Sequence, residues 1–443
     1  MSDHTRNGTA LRRSPNEPSV AALLADILAP VTGSPLPVRL QAWDGSCAGP
    51  AGAPVISINS TNVLRRLLWR PGELGAAQAY VTGELEVEGD LGDALDHVWA
   101  TVRERGLGPV LPTVRLLLRT ARAARQLGAI RRPPPPPLSQ ARIGGRLHSL
   151  RRDRQAISHH YDMSNEFYGL ILDGAMVYSC AYWTSDEPTY TLADAQRDKF
   201  DLVCRKLGLQ PGMRVLDVGC GWGGFAVHAA RNYDVDVVGV TLSKEQKAFA
   251  DKRILAEGLD GRVDIRLQDY RRISDGPFDA VVSIEMGEHV GRGNYPRYAR
   301  ALYDNVKPGG GVLVQQMSRQ GRHPGGGPFI ESFIAPDMDM RPVGETIAML
   351  EYPGLELRDV HALREHYVRT VAAWNERLES NWAKLVDVTS VETARVWRLY
   401  LTGGGRAFRD GRMGVDQMLF VRPGSVGRSG LPAVRMKSGA ADG

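Results

Sequence analysis

The run RVLDVGCGWGGFAVHAA, residues 214–230, carries the densest chemical signal in this 443-residue chain. Val215 to Val218 read as a short apolar strand, Gly219, Gly221, Gly223 and Gly224 as a loop, and Phe225 onward as a helix. Glycines let a backbone take positive φ and approach a ligand closely, and the helix start offers free N–H groups. Gly219, Gly221 and Gly224 also satisfy the dinucleotide pattern G-x-G-x-x-G, so the glycines alone do not choose the ligand. A dinucleotide site wants an acid about 20 residues on, at the end of the second strand. Here that strand, VDVVGV, ends in Thr241-Leu242-Ser243, and the acid is Asp217, just before the loop.

The elements that must position this loop follow in order. VDIRLQDY reads as a third strand, FDAVVSIEM as a fourth, and LYDNVKPGGGVLVQQM as a helix, a turn and a fifth strand. Strands alternating with helices at this spacing predict an α/β fold with a parallel, doubly wound sheet. Asp217, Gly219, Gly221 and Gly223 form D-x-G-x-G-x-G, which resembles the first motif of class I methyltransferases that use S-adenosylmethionine (SAM). That resemblance implies a Rossmann-like, mostly parallel sheet. The loop would hold the methionine part of SAM, and Asp269 after the third strand would accept from the adenine amino group.

Upstream, SHHYDMSNEFYGLILDGAMVYSCAYW at 158–183 resembles the N-terminal signature of the cyclopropane-fatty-acyl-phospholipid synthase family, which includes mycolic acid methyltransferases. The resemblance continues through GVTLSKEQ (239–246), SIEMGEHVG (283–291), YVRTVAAWNERL (367–378) and FRDGRMGVDQMLF (408–420). It implies that Tyr178, Ser179, Gly219, Gly221, Thr241, Leu242, Gln246 and Asp269 contact SAM. It also implies that Cys180 and Glu288 surround a small-anion site, occupied by bicarbonate in family members.

The implied chemistry needs such a site. An isolated alkene is a weak nucleophile with no proton to lose first. Once methylated it carries a cation, and the protein must orient the partners and exclude water. A base must then take a proton, with bicarbonate or Glu288 in that role, so Glu288→Gln is expected to cost at least about 10²-fold in rate. Aromatic faces of Tyr178, Tyr182 and Trp183 are candidates to stabilise the cation. The sequence departs from the family around this site. The family's strand-five histidine aligns with Gln316, the tyrosine of its A-W-Y segment aligns with Asn375, and Glu285 stands where cyclopropane synthases usually carry glycine. Proton loss from the added methyl closes a cyclopropane. A prior hydride shift lets proton loss give an exocyclic methylene, which a reductase could turn into a methyl branch. The altered base environment favours the methylene product over the cyclopropane.

Length and composition bound the rest. A chain of this size predicts two domains, and 43% hydrophobic with 24% charged residues is ordinary for a globular protein. No apolar run reaches the roughly 18 residues of a membrane span. The start lacks a signal peptide, so the expected location is cytoplasmic, peripheral on the inner membrane face. The four cysteines, Cys47, Cys180, Cys204 and Cys220, have no zinc-ligand spacing, so no metal is expected. Net charge is only +5, but Arg105 to Arg152 holds eleven arginines and no acid. Within it, Val114, Leu117, Leu118, Ala121 and Ala124 predict one helix face and Arg115, Arg119 and Arg122 another. The arginine face suits anionic headgroups or is simply solvated.

Residues 1–17 are expected to be disordered. A mixed α+β, lipid-associated domain is expected over 18–130, a proline-rich linker containing Pro133–Pro137 over 131–149, the catalytic domain over 150–425 and a disordered tail over 426–443. The expected partners are phospholipid acyl chains, a downstream reductase and a second copy in a homodimer, with no nucleic acid. A methyltransferase for a soluble molecule and a non-catalytic lipid-binding protein are the competing readings. The arginine-rich region argues against the first, and the intact glycine loop, Cys180 and Glu288 argue against the second.

Overall fold

The computed structural model describes residues 18–106, 114–141, 152, 163–321 and 325–430. The expected disordered ends at 1–17 and beyond 430, the linker from 142 to 149, the first residues of the catalytic domain and residues 158–162 of the first family motif lie outside them. Packing divides the chain into two units, one up to Gln140 with Val391–Leu399, the other Ala141–Ser390 with Tyr400 onward. The segment Val391–Leu399, expected in the catalytic domain, therefore clusters with the N-terminal unit. There its Arg395 donates to the Tyr80 carbonyl at 2.7 Å and pairs with Glu86.

The N-terminal unit holds a small sheet of β1 (Arg39–Ala42), β2 (Cys47–Ala48), β3 (Val55–Ile58) and β4 (Leu85–Val87), ordered β2-β1-β3-β4. Leu24, Leu40, Ile58, Val63, Ala124 and Leu127 share its core. Arg66, buried, is held by Glu84 at 2.5 Å. The arginine-rich segment is helical over Val114–Gln126. Its buried stripe differs from the expected one. Ala123, Ala124 and Leu127 face the core, whereas Leu118 is 66% exposed and Ala121 is exposed. Small alanines let this helix lie close to the helix Val20–Thr32, so the stripe rotates toward them and leaves Leu118 outside.

The catalytic unit is built on a seven-stranded sheet of order β10-β11-β9-β8-β5-β6-β7. Its strands are β5 (Arg214–Val218), β6 (Asp236–Thr241), β7 (Val263–Leu267), β8 (Phe278–Ile284), β9 (Val306–Ser318), β10 (Glu356–Ala362) and β11 (Gly414–Val421). Strands β5 to β9 run parallel, and β11 is antiparallel to both β9 and β10. This is the class I methyltransferase arrangement. The turn expected at Lys307–Gly310 is absorbed into the start of β9, where the register with β8 slips between Phe278 and Ala280.

Residue alternation decides what each strand presents. On β5, Val215 belongs to the core on one face, while Leu216 and Val218 belong to the core on the other. Asp217 therefore shares the Val215 face, toward the helix Leu192–Leu207. That helix starts in a Thr191–Asp194 capping box and ends at left-handed Gly208. Its buried side chains include Gln196 and Lys199 among Ala195, Phe200 and Val203.

Candidate active site

The functional loops lie where open α/β sheets bind ligands, beyond the carboxyl ends of the parallel strands. Gly219, Gly221 and Gly223 have φ of +85°, +55° and +77°, and Gly223 caps the helix Gly224–Tyr233. A Cβ on Gly219 would sit 2.7 Å from Met286 Cγ, whereas one on Gly221 would meet nothing within 4 Å. Gly221 thus borders open space, the cavity above the loop. Tyr178, Ser179, Asp217, Gly219, Thr241, Leu242, Gln246 and Asp269 line the same cavity. Gly223 does not, and serves as the helix cap.

Several of these side chains are fixed before any ligand arrives. Thr241 donates to Gln246 Oε1 at 2.7 Å, and Ser243 caps the helix Lys244–Ala256 by accepting from the Gln246 N–H. Asp269 is paired with Arg271 at 2.7 Å. Burial would raise its pKa, but the Arg271 guanidinium and N–H outweigh that and hold the carboxyl below its usual value. Asp217 behaves oppositely: burial pushes it up to about 7, opposed by Lys199. Lys199 Nζ donates to Ser179 Oγ at 2.8 Å, and Gln196 donates to the Ser179 carbonyl at 2.9 Å. Burial brings the Lys199 ammonium down to about 8, with Glu285 the foremost of the negative neighbours opposing that fall.

At the cavity's edge stands Glu285, a non-glycine residue at φ +51°. Three donors converge on its carboxylate. The Cys180 N–H and Gln315 Nε2 each reach Oε1 at 2.8 Å, and the Tyr367 hydroxyl reaches Oε2 at 2.6 Å. Gln315 is itself oriented by Gln417, which donates to its Oε1 at 3.0 Å. Burial, and then the Glu285 charge, push the Cys180 thiol far up, and it is the backbone N–H of Cys180 that reaches Glu285.

A glycine loop with an acid before it, on this sheet, beside an apolar cavity with a held carboxylate, can bind SAM and act on an apolar substrate. A family model described as mycolic acid cyclopropane synthetase matches residues 148–418. The chain belongs to this family. It is 39% identical over 408 residues to a probable fatty acid methyltransferase of Pseudomonas putida, covering 90% of this chain and 95% of that one. It is 36% identical over 370 residues to the cyclopropane-fatty-acyl-phospholipid synthase of Escherichia coli (strain K12), covering 83% and 87%. A solved mycolic acid cyclopropane synthase, CmaA1 complexed with SAH and CTAB, aligns at TM-score 0.57 and 32% identity over 60% of this chain and 97% of that one. As a SAM-dependent member of the cyclopropane synthase family, the protein has a cavity that suits its methyl donor. Open space lies above Gly221, an aromatic and a hydroxyl stand at Tyr178 and Ser179, and carboxyls stand at Asp217 and Asp269.

The remaining expected residues fall differently. Glu288 is fully buried, does not line the cavity, and neither of its oxygens has a well-formed hydrogen bond among the described residues. Burial and the neighbouring Glu285 charge push its carboxyl far up, which favours the protonated form. Gln316 accepts from Tyr295 at 2.6 Å. On β9, Leu313 belongs to one core and Val312 and Val314 to the other, so Gln315 and Gln316 leave opposite faces. The glutamine that reaches the Cys180–Glu285 cluster is therefore Gln315, not Gln316. Among the described residues Asn375 Oδ1 is buried without a hydrogen-bond partner; the phenol that reaches the cluster is Tyr367, on the same helix Arg364–Ser380. Of the three aromatics, only Tyr178 lines the cavity, its hydroxyl bonded to that of Tyr400 at 2.9 Å. Tyr182 packs on His366 and Trp183 under Arg369. Lys199, Gln315 and Tyr367 were missed. The signal for Lys199 was a charge on the apolar stripe of an otherwise amphipathic helix.

Proposed function

We propose that this enzyme methylates the cis double bond of an unsaturated acyl chain carried on phospholipid and releases a methylene-branched chain. The observation that carries this reading is Glu285, a fixed carboxylate on the rim of the cavity that also contains the glycine loop. Bound SAM would supply an electrophilic methyl. The chain's residues supply the rest. The glycine loop, Thr241, Leu242, Gln246 and Asp269 bind and orient the donor. Val177, Phe200, Phe225 and Ile284 make the cavity wall apolar and keep water from a cationic lipid intermediate. Tyr178, anchored through Tyr400, presents an aromatic ring at the same wall. The relatives named for fatty acid and phospholipid substrates support the substrate class.

The product depends on which carbon carries the cation when the proton leaves. Glu285, standing where the resemblance implies a glycine, changes that environment, and this favours a hydride shift before proton loss. A methylene product would then pass to a reductase. The test uses purified enzyme, methyl-labelled SAM and vesicles of a cis-monounsaturated phospholipid. Label in an exocyclic methylene is the expected result; label in a cyclopropane ring would assign the other product.

The N-terminal unit supports a peripheral membrane role. Among the described residues no helix is long and apolar enough to cross a membrane. Trp69 is 57% and Ile130 60% exposed, beside exposed Arg70, Arg131 and Arg132, and the Trp69 indole donates to the Arg131 carbonyl at 2.9 Å. An interfacial aromatic, an aliphatic and several cations together match an anionic bilayer surface. Changing Arg70, Arg131 and Arg132 to alanine should weaken binding to anionic vesicles, by up to about 1 kcal/mol per residue, and flatten its salt dependence. Unchanged sedimentation with vesicles would make this surface a solvated one.

A further inference from the structure

We propose that Glu285 is the base that ends the reaction, so that the enzyme carries its own anion and needs no bicarbonate. The assignment rests on the alkene-methylation reading above. It begins with the backbone. Left-handed φ at a residue with a Cβ costs about 1 kcal/mol or more, and such residues persist where the surroundings hold them. What holds Glu285 is its carboxylate, gripped by a main-chain N–H, an amide and a phenol. Those three donors could equally hold an exogenous carboxylate-like anion, and Glu285 already engages them.

The other acids near the cavity are committed elsewhere. Asp269 is tied to Arg271, and Asp217 faces Lys199 from the carboxyl end of the central strand β5. Glu288 is not among the cavity-lining residues, and burial with the Glu285 charge pushes its carboxyl far up, so of the two it is Glu288 that favours the proton. Glu285 keeps the charge of the pair through its three donors and Lys199. Burial also raises its pKa, which makes it a stronger base than a surface carboxylate.

The step balances without a further reactant. The alkene's π pair forms the new C–C bond to the methyl as the S–CH3 bond breaks onto sulfur, leaving a cation on the neighbouring chain carbon. A hydride moves from the methyl-bearing carbon to that cation. Glu285 then takes one proton from the added methyl, and the C–H pair becomes the exocyclic C=C bond. Without the hydride shift the same proton loss closes a cyclopropane, so the base assignment holds for either product.

One measurement reads the site without activity. Carbon-13 NMR with labelled bicarbonate should show no bound anion on the wild type and a bound anion on Glu285→Gly. Glycine accepts the left-handed φ, so that variant keeps the fold, which a thermal melt checks. In assays, wild-type turnover should be unchanged in CO2-free buffer. Glu285→Gln should lose at least about 10²-fold, and Glu285→Gly should be inactive until formate or bicarbonate restores it. Bicarbonate binding to the wild type, a rate that falls without CO2, or a fully active Glu285→Gln would each overturn the assignment while leaving the methylation reading in place. A wild type that transfers no methyl to unsaturated phospholipid would overturn that reading, and this role with it.

Discussion

Gly221→Val is expected to abolish SAM binding, lowering affinity at least about 100-fold, or about 2.8 kcal/mol. Two effects act together. Gly221 has φ +55°, a conformation that a β-branched residue adopts only under strain of about 1–2 kcal/mol. Its Cβ position meets no protein atom within 4 Å, so the added methyls would project into the cavity itself. The protein should therefore fold and lose its ligand. Gly219 offers a contrast, since a Cβ there would strike Met286 at 2.7 Å and disturb the loop directly. Titration calorimetry with SAM reads the difference. Undiminished affinity in Gly221→Val would place the donor elsewhere.

Lys199→Met should lower the rate at pH 7 at least about tenfold, with partial recovery at higher pH. The ammonium is buried, bonded to Ser179, and faces Glu285, Cys180, Asp173 and Asp217. It is the positive charge that keeps Glu285 and Asp217 from rising further. Removing it raises both carboxyls, so the deprotonated base is reached only at higher pH and the acid limb of the pH–rate profile moves upward. A shift of one unit corresponds to about 1.4 kcal/mol and to a tenfold loss on that limb. Methionine fills the volume, so lost packing alone would lower the rate at every pH equally. An unmoved acid limb would show that Lys199 only supports the Ser179 segment.

Glu288 provides a quieter comparison. The sequence led us to expect a charged, essential carboxylate there. A buried, protonated carboxyl is closely mimicked by glutamine, so in the present account Glu288→Gln should retain far more activity than Glu285→Gln.

What the sequence disclosed was local and periodic. The strand–loop–helix of Asp217 to Ala230 is written in four glycines and a two-residue alternation, and cavity-lining positions such as Thr241 and Asp269 fall at strand ends. The cluster around Glu285 is not local. It joins Cys180, Glu285, Gln315, Tyr367 and Gln417, which come together only when β8, β9, β11 and the helix Arg364–Ser380 are assembled. The resemblance pointed to Gln316, but one step along a strand reverses its face, and it is Gln315 that reaches Glu285. On the helix, Tyr367 and Asn375 lie eight positions apart, and residue type alone could not say which turn met the site. The arginine helix failed for a similar reason: the partner helix, not the sequence pattern, chose Ala123 and Ala124 over Leu118.

The most direct test of the central claim is the mass of the lipid. Vesicles of a cis-monounsaturated phospholipid, incubated with the enzyme and SAM, should yield phospholipid whose acyl chain has gained one carbon and two hydrogens, with the headgroup and ester unchanged. The same lipid with a saturated chain should gain nothing. An enzyme that binds SAM yet leaves the unsaturated phospholipid at its original mass, or that methylates free fatty acid in preference to it, would contradict the account.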